Sequence, residues 1–170
     1  MEILEIEDKE LFLKYAIPCG QVLVRRGTLD GAVLQELNRR MVDGSAIKGD
    51  IGKYFPVAAK MTSIIATEMG KEMVDSEVIR RYFLSEHDKA VKWRASIFPD
   101  IPVDECMIQP GRVIKTTGDN IIINTPNGEK LFRKDFIPEA RRGDMVTLHY
   151  DFASEITDRD SFRKLVRMRK

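Results

Sequence analysis

The apolar residues of this chain change their spacing once, and the change falls across Phe98–Asp104, a stretch that holds Pro99 and Pro102. Before it, apolar side chains recur at three- and four-residue steps, the period of a helix face; after it they alternate, the period of a strand. Two prolines so close together keep the backbone extended and stiff, so the stretch reads as a domain boundary. The fold class expected is therefore α+β: a helical N-terminal domain over 1–100, a small OB-like β-barrel over 104–156 and a basic C-terminal helix over 157–170.

Within the helical half, Asp8 can cap a short helix carrying Leu11, Phe12 and Tyr15, with Pro18 as its stop. The Val-Leu-Val run between Gly20 and Gly27 reads as one small strand. Asp30 caps a second helix with Ala32, Val33, Leu37 and Met41 on one face; Arg39 and Arg40 sit near its C-terminal end, where the dipole favours cations, and Asp43-Gly44 ends it. Pro56 opens a third helix whose stripe of Val57, Met61, Ile64, Ile65 and Met69 is expected to face the core, and Met61, Met69 and Met73 read as gap-filling packing. Ser76 starts a short helix through Tyr82 and Phe83. Ser85 to Asp88 then has the form of a capping box opening a further helix, with Ala90, Val91, Trp93 and Ile97, stopped by Pro99. His87 lies in that first turn between Glu86 and Asp88, where it reads as part of a solvated polar group.

After the prolines, Arg112–Thr116 reads as a first strand and Asp119–Thr125 as a second, its unbroken Ile121-Ile122-Ile123 implying burial on both faces. Pro126-Asn127-Gly128 offers the Asn-Gly pair of a primed hairpin turn, so Lys130–Arg133 is expected to fold back antiparallel. Gly143–Tyr150 is a later strand, and five short strands are the content of an OB-like barrel. In the tail, Phe162, Leu165 and Val166 form an apolar side, with Arg159, Arg163, Lys164, Arg167, Arg169 and Lys170 elsewhere, which reads as a solvated helix with a frayed basic end.

Composition removes several classes of function. With 43% hydrophobic residues in 170, the chain can bury a core without covalent staples. Net charge is +1, and the halves carry 15 basic against 16 acidic residues (1–100) and 13 against 11 (101–170), without the basic excess of an electrostatic nucleic-acid binder. No apolar run approaches the roughly 18 residues of a membrane span, and the acidic start lacks a signal peptide's positive charge, so the expected location is cytoplasmic with no membrane partner. Cys19 and Cys106 have no CxxC spacing and make neither a disulfide framework nor, by themselves, a zinc site. Without a Gly-rich phosphate loop, HExxH or GxSxG, the chain reads as a non-enzyme.

Cys106 and His149 are the candidate metal ligands. Cys106 lies at the entry to the barrel, where its thiol is expected to be partly exposed; the alternative is a small buried hydrophobe closing the barrel end. In the last strand Val146, Leu148 and Tyr150 form one alternate row and Met145, Thr147 and His149 the other, so a core-facing first row turns His149 outward, within reach of a partner or ligand. A thiolate with an imidazole suits iron, copper or zinc rather than magnesium or calcium.

The segment Cys106-x-x-x-Pro110-Gly111-Arg112-Val113-Ile114, followed by Pro138-x-x-x-x-Gly143-Asp144-x-Val146-x-x-His149-x-x-Phe152-Ala153, resembles the HypC/HupF family of [NiFe]-hydrogenase assembly chaperones over about residues 106–168. The resemblance implies a small barrel with a C-terminal helix that hands an iron–cyanide–carbonyl unit between a HypD-like maturation protein and the hydrogenase large-subunit precursor. Cys106 matches the family's essential cysteine and His149 its conserved histidine, and Pro110, Gly111 and Arg112 beside the cysteine are the expected partner contact. In the family the cysteine follows the initiator methionine; here a helical domain precedes it. The function expected is thus a maturation chaperone or carrier, with a transient iron unit bearing cyanide and carbonyl as cargo. Two alternatives stand: an adaptor that uses the barrel for protein contact without metal transfer, and an OB-like nucleic-acid module, disfavoured because its aromatics are few (Phe132, Phe136, Tyr150, Phe152).

Overall fold

The computed structural model describes residues 2–169, in two compact units, Met1–His87 and Asp88–Lys170. The class is α+β: helices in the N-terminal half, then a closed five-stranded barrel and a C-terminal helix.

In the first unit, helix α1 (Lys9–Arg25) starts where expected, the Asp8 carboxylate accepting the Leu11 N–H at 3.0 Å. It does not stop at Pro18. The helix runs through the proline and through the Val-Leu-Val run expected as a strand. Proline inside a helix costs about 3 kcal/mol. Against that, Leu11, Phe12, Leu13, Tyr15, Ile17 and Val22 are buried along α1, each contributing about 1.5–3 kcal/mol, so packing outweighs local propensity. Helix α2 (Gly31–Asp43) is capped by Asp30, which accepts the Ala32 N–H at 2.8 Å, and ends at Gly44 with φ 72°.

Helix α3 (Pro56–Glu68) opens on its proline, but its buried face is Ala59, Thr62, Ser63, Ile65 and Ala66, while Val57 is 40% exposed. The core stripe is thus rotated from the aliphatic one toward small residues. Thr62 and Ser63 can be buried because their hydroxyls donate to the carbonyls of Ala58 (2.8 Å) and Ala59 (2.7 Å) within the same helix. Helix α4 (Ser76–Arg81) is capped by Asp75, accepting from the Val78 N–H at 3.0 Å. No capping box forms at Ser85. A π-helical turn, Tyr82–Glu86, carries the chain directly from α4 into α5 (His87–Ile97), with the His87 N–H donating to the Tyr82 carbonyl. Along α5, Val91 is buried and Trp93 is 67% exposed.

In the second unit a short helix α6 (Val103–Cys106) precedes β1 (Gln109–Thr117), β2 (Asn120–Thr125), β3 (Gly128–Arg133), β4 (Met145–His149) and β5 (Phe152–Ile156), then α7 (Arg159–Met168). The strands close in the order β1-β2-β3-β5-β4, with β1 pairing β4 antiparallel and β3 meeting β5 parallel at Arg133 and Phe152. A register shift between Val113 and Lys115 bends β1 around the barrel. Val113, Ile121, Ile123, Phe132, Ile137, Val146, Leu148 and Ala153 fill the interior. The β2–β3 hairpin is not of the primed type: Thr125 pairs with Gly128 across a Pro126-Asn127 loop, and Asn127 lacks the positive φ that a primed turn requires. Pro126 pins φ near −65°, Gly128 takes the positive value (φ 96°), and the Thr125 hydroxyl accepts the Asn127 N–H at 3.1 Å.

Candidate metal-binding site

The side chain of His149 is placed by two constraints within the second unit. Strand alternation sends Val146 and Leu148 into the barrel interior and Thr147 and His149 to its opposite face. That face is not solvated: His149 is 0% exposed, which corrects the expectation of an outward, accessible imidazole. The second constraint is the hairpin that follows. His149 pairs with Phe152, leaving Tyr150 and Asp151 as its loop, and Tyr150 takes φ 53°, the one positive φ at a non-glycine among the described residues. Such a backbone costs of order 1–3 kcal/mol and persists where its surroundings hold it. Part of the hold is visible, since the Tyr150 N–H donates to the Glu105 carbonyl at 3.0 Å.

Glu105 is the neighbour of Cys106, the last residue of α6. The turn is tied by the Cys106 and Met107 N–H groups, which donate to the carbonyls of Pro102 (2.9 Å) and Val103 (3.0 Å). Cys106 is a thiol and only 8% exposed, so the partly open thiol expected from the sequence is instead buried. Its Sγ lies within 4.8 Å of a ring nitrogen of His149. Two ligands of one tetrahedral ion, at bond lengths of about 2.3 Å and 2.0 Å, lie roughly 3.5 Å apart, so small side-chain adjustments bring this pair onto an ion.

No protein-family model and no curated protein matches this sequence. What the site can do therefore rests on its own geometry and chemistry.

Pro110 and Gly111, expected at a partner contact, are buried, whereas Arg112 is exposed. Gly111 has a packing role: a Cβ there would meet Ile123 Cγ2 at 2.4 Å and Leu148 Cδ1 at 2.8 Å, so its lack of a side chain lets β1 lie against the interior. Arg112 donates to the Gly143 carbonyl at 3.0 Å and lies over the Phe162 ring. The barrel's aromatics are also committed to packing. Phe136 and Phe152 stack at 4.9 Å, both buried, and Arg133 covers the Phe152 ring at 4.5 Å.

The basic tail is fastened rather than frayed. Asp88 accepts the Ile108 N–H at 3.2 Å and pairs with Arg169 at 3.0 Å, while the Arg169 guanidinium also donates to the Ile108 carbonyl. Burial lowers the pKa of Arg169 from its ordinary value, and the charges of Asp88 and Asp104 oppose that shift.

The first unit holds a second thiol–imidazole pair that the sequence reading did not assemble. Cys19 lies on α1 between Pro18 and Gly20, and His87 follows the π turn. Their ligand atoms are within 4.8 Å of each other. His87, read from sequence as solvated, is 5% exposed, its ring set edge-on to Tyr82 (5.8 Å) and tilted against Phe83 (5.5 Å). The extra residue of a π turn rotates everything after it by about a quarter turn or more, and no residue spacing announces that. The one available signal was that every Cys and His of the chain is a soft-metal ligand type, two of each.

Among the described residues no helix is long and apolar enough to cross a membrane.

Proposed function

We propose that this chain is a non-enzymatic metal-handling protein, a maturation chaperone or carrier of the HypC/HupF kind, whose barrel takes hold of a metal through Cys106 and His149. The single observation carrying the reading is that this thiol and imidazole, distant in sequence, lie within 4.8 Å on segments bonded to each other. The donor set favours iron, copper or zinc and excludes the all-oxygen preference of magnesium and calcium. The motif resemblance supplies the cargo, an iron–cyanide–carbonyl unit, and the partners, a HypD-like protein and the hydrogenase large-subunit precursor, in the cytoplasm. In this scheme Cys106 provides the anionic sulfur and His149 the neutral nitrogen, and the surrounding burial keeps water from competing for the ion.

Anaerobic co-expression with the maturation machinery is the test. The purified chain should carry cyanide and carbonyl infrared bands that vanish in Cys106→Ala; their absence from the parent chain, with no maturation partner captured, overturns the reading.

A second reading, an adaptor that contacts partners through the barrel without transferring metal, is favoured by the burial of both ligands, since handing over cargo requires access. Under it Cys106→Ala leaves partner capture intact and Arg112→Glu, on the exposed surface, abolishes it.

A further inference from the structure

Closure of the barrel between β3 and β5 rests on one residue pair, Arg133 with Phe152, and the rest of β3 has no strand on its outer side among the described residues. The directions of its backbone groups follow from alternation. The Arg133 N–H donates to the Asp151 carbonyl at 2.7 Å, on the side away from β2, so Leu131 and Glu129 aim their N–H and C=O groups the same way. An edge of this kind is a template for another strand, and proteins commonly blunt or cover it. Here Gly128, Glu129, Lys130 and Leu131 are all exposed, Leu131 to 58%.

Beside that edge, wholly within the second unit, lies a cleft of about 500 Å³. Lys130 and Leu131 line it from β3, and Glu105 and Asp151 line it from α6 and the β4–β5 loop. Asp104 adds a third carboxylate, against the single ammonium of Lys130. Phe132 and Leu148, both buried, give the cleft an apolar floor.

We propose that the open edge of β3 is a docking site for an extended basic segment of a partner protein, which adds a strand beside Leu131 and Glu129 and places lysine or arginine side chains in the acidic cleft. Main-chain hydrogen bonds to the two outward-facing residues supply affinity, and the cleft supplies the choice of side chain. Alternate residues of a strand point to one face, so every second residue of the bound segment reaches the cleft. Charge selects the occupant. A basic segment finds counter-charges in Asp104, Glu105 and Asp151, whereas a second copy of this chain, pairing edge to edge, brings the same three carboxylates against them. This interface does not depend on a metal at Cys106 and His149.

The probe is a fluorescein-labelled octapeptide of alternating valine and lysine, titrated into the full chain, with a valine–glutamate octapeptide as the charge-reversed control. Expected is saturable one-to-one binding of the lysine peptide, about tenfold or more tighter than the glutamate peptide and weakened by added salt. Leu131→Pro removes one outward N–H and no bond to β2, so its urea midpoint should stay near the parent's while binding falls by about fivefold or more. Glu105→Gln with Asp151→Asn should narrow the margin between the two peptides by about fivefold. Hydrogen exchange of the parent chain tests the edge without a variant. The Leu131 and Glu129 amides should exchange faster than those of Lys130 and Phe132, and should become protected when the lysine peptide binds. Equal protection of all four amides in the free chain overturns the proposal, as does equal binding of the two peptides. A concentration-dependent dimer that Leu131→Pro dissociates assigns the edge to a second copy and overturns the basic occupant.

Discussion

The backbone N–H of Tyr150 donates to the carbonyl of Glu105 at 3.0 Å, joining the residue after His149 to the residue before Cys106. The barrel thereby fixes thiol and imidazole relative to each other through main chain, which no side-chain substitution elsewhere in the barrel can directly undo. It also explains why a non-glycine residue is kept at φ 53°: the left-handed turn points this N–H back at α6.

Proline at position 150 removes the donor and cannot adopt a positive φ, so Tyr150→Pro should lower stability by about 2–4 kcal/mol and weaken metal binding. Tyr150→Asn keeps the N–H and tolerates the left-handed region, and should bind metal like the parent. Urea denaturation with a parallel zinc titration decides it; a Tyr150→Pro protein as stable and as tight as the parent would show that the bond does not position the pair.

Gly111 is expected to be intolerant of any side chain. Its missing Cβ faces Ile123 and Leu148, both buried, and Leu148 immediately precedes His149. Gly111→Ala should cost about 1–3 kcal/mol through overpacking. If the urea midpoint of Gly111→Ala is unchanged, the interior relaxes more readily than the 2.4 Å approach to Ile123 implies.

How much of this was legible in the sequence follows from which interactions are local. The change of period at the prolines marks the β half, and the caps at Asp8 and Asp30 are satisfied by an N–H three and two residues on. Ligand type and strand alternation single out Cys106 and His149. What failed was set by distant packing. Pro18 reads as a stop because its cost is local, whereas the burial that offsets it is not. His87 reads as solvated because its neighbours Glu86 and Asp88 are acidic, yet the π turn before it decides its direction. The Asn127-Gly128 pair marks the position of the hairpin but not its turn type, because Pro126 fixes the first loop residue.

Acid should loosen α7 before the barrel core. Hydrogen bonds from Ser161, its backbone N–H first, hold the Asp158 carboxyl below its ordinary value of 3.8. A depressed folded-state pKa contributes stability that is present above the ordinary value and is lost as pH falls through the lower one. The Ser161 amide chemical shift should therefore titrate below pH 3.8, and in Asp158→Asn, which still accepts the bond, that inflection should disappear. An inflection at or above 3.8 in the parent protein contradicts the assignment.

The fastening of the tail gives the last prediction. Arg169 lies one residue beyond α7 and reaches Asp88 and the Ile108 carbonyl, with the side chains of both charged partners 12% exposed. Arg169→Ala removes the cation beside the Asp88 carboxylate in a sheltered position, which should cost about 1–3 kcal/mol and raise hydrogen exchange along α7. Asp88→Asn with Arg169→Ala takes away both charges of the pair, so the double variant should lose less than the two single losses combined. The Asp88 carboxylate also accepts the Ile108 N–H at the approach to β1, so Asp88→Ala alone should speed exchange at Ile108, a readout that losing the tail contact by itself would not produce. Equal exchange at Ile108 in Asp88→Ala and the parent chain would assign Asp88 to the tail alone, and additive losses in the double variant would show that the two residues act independently.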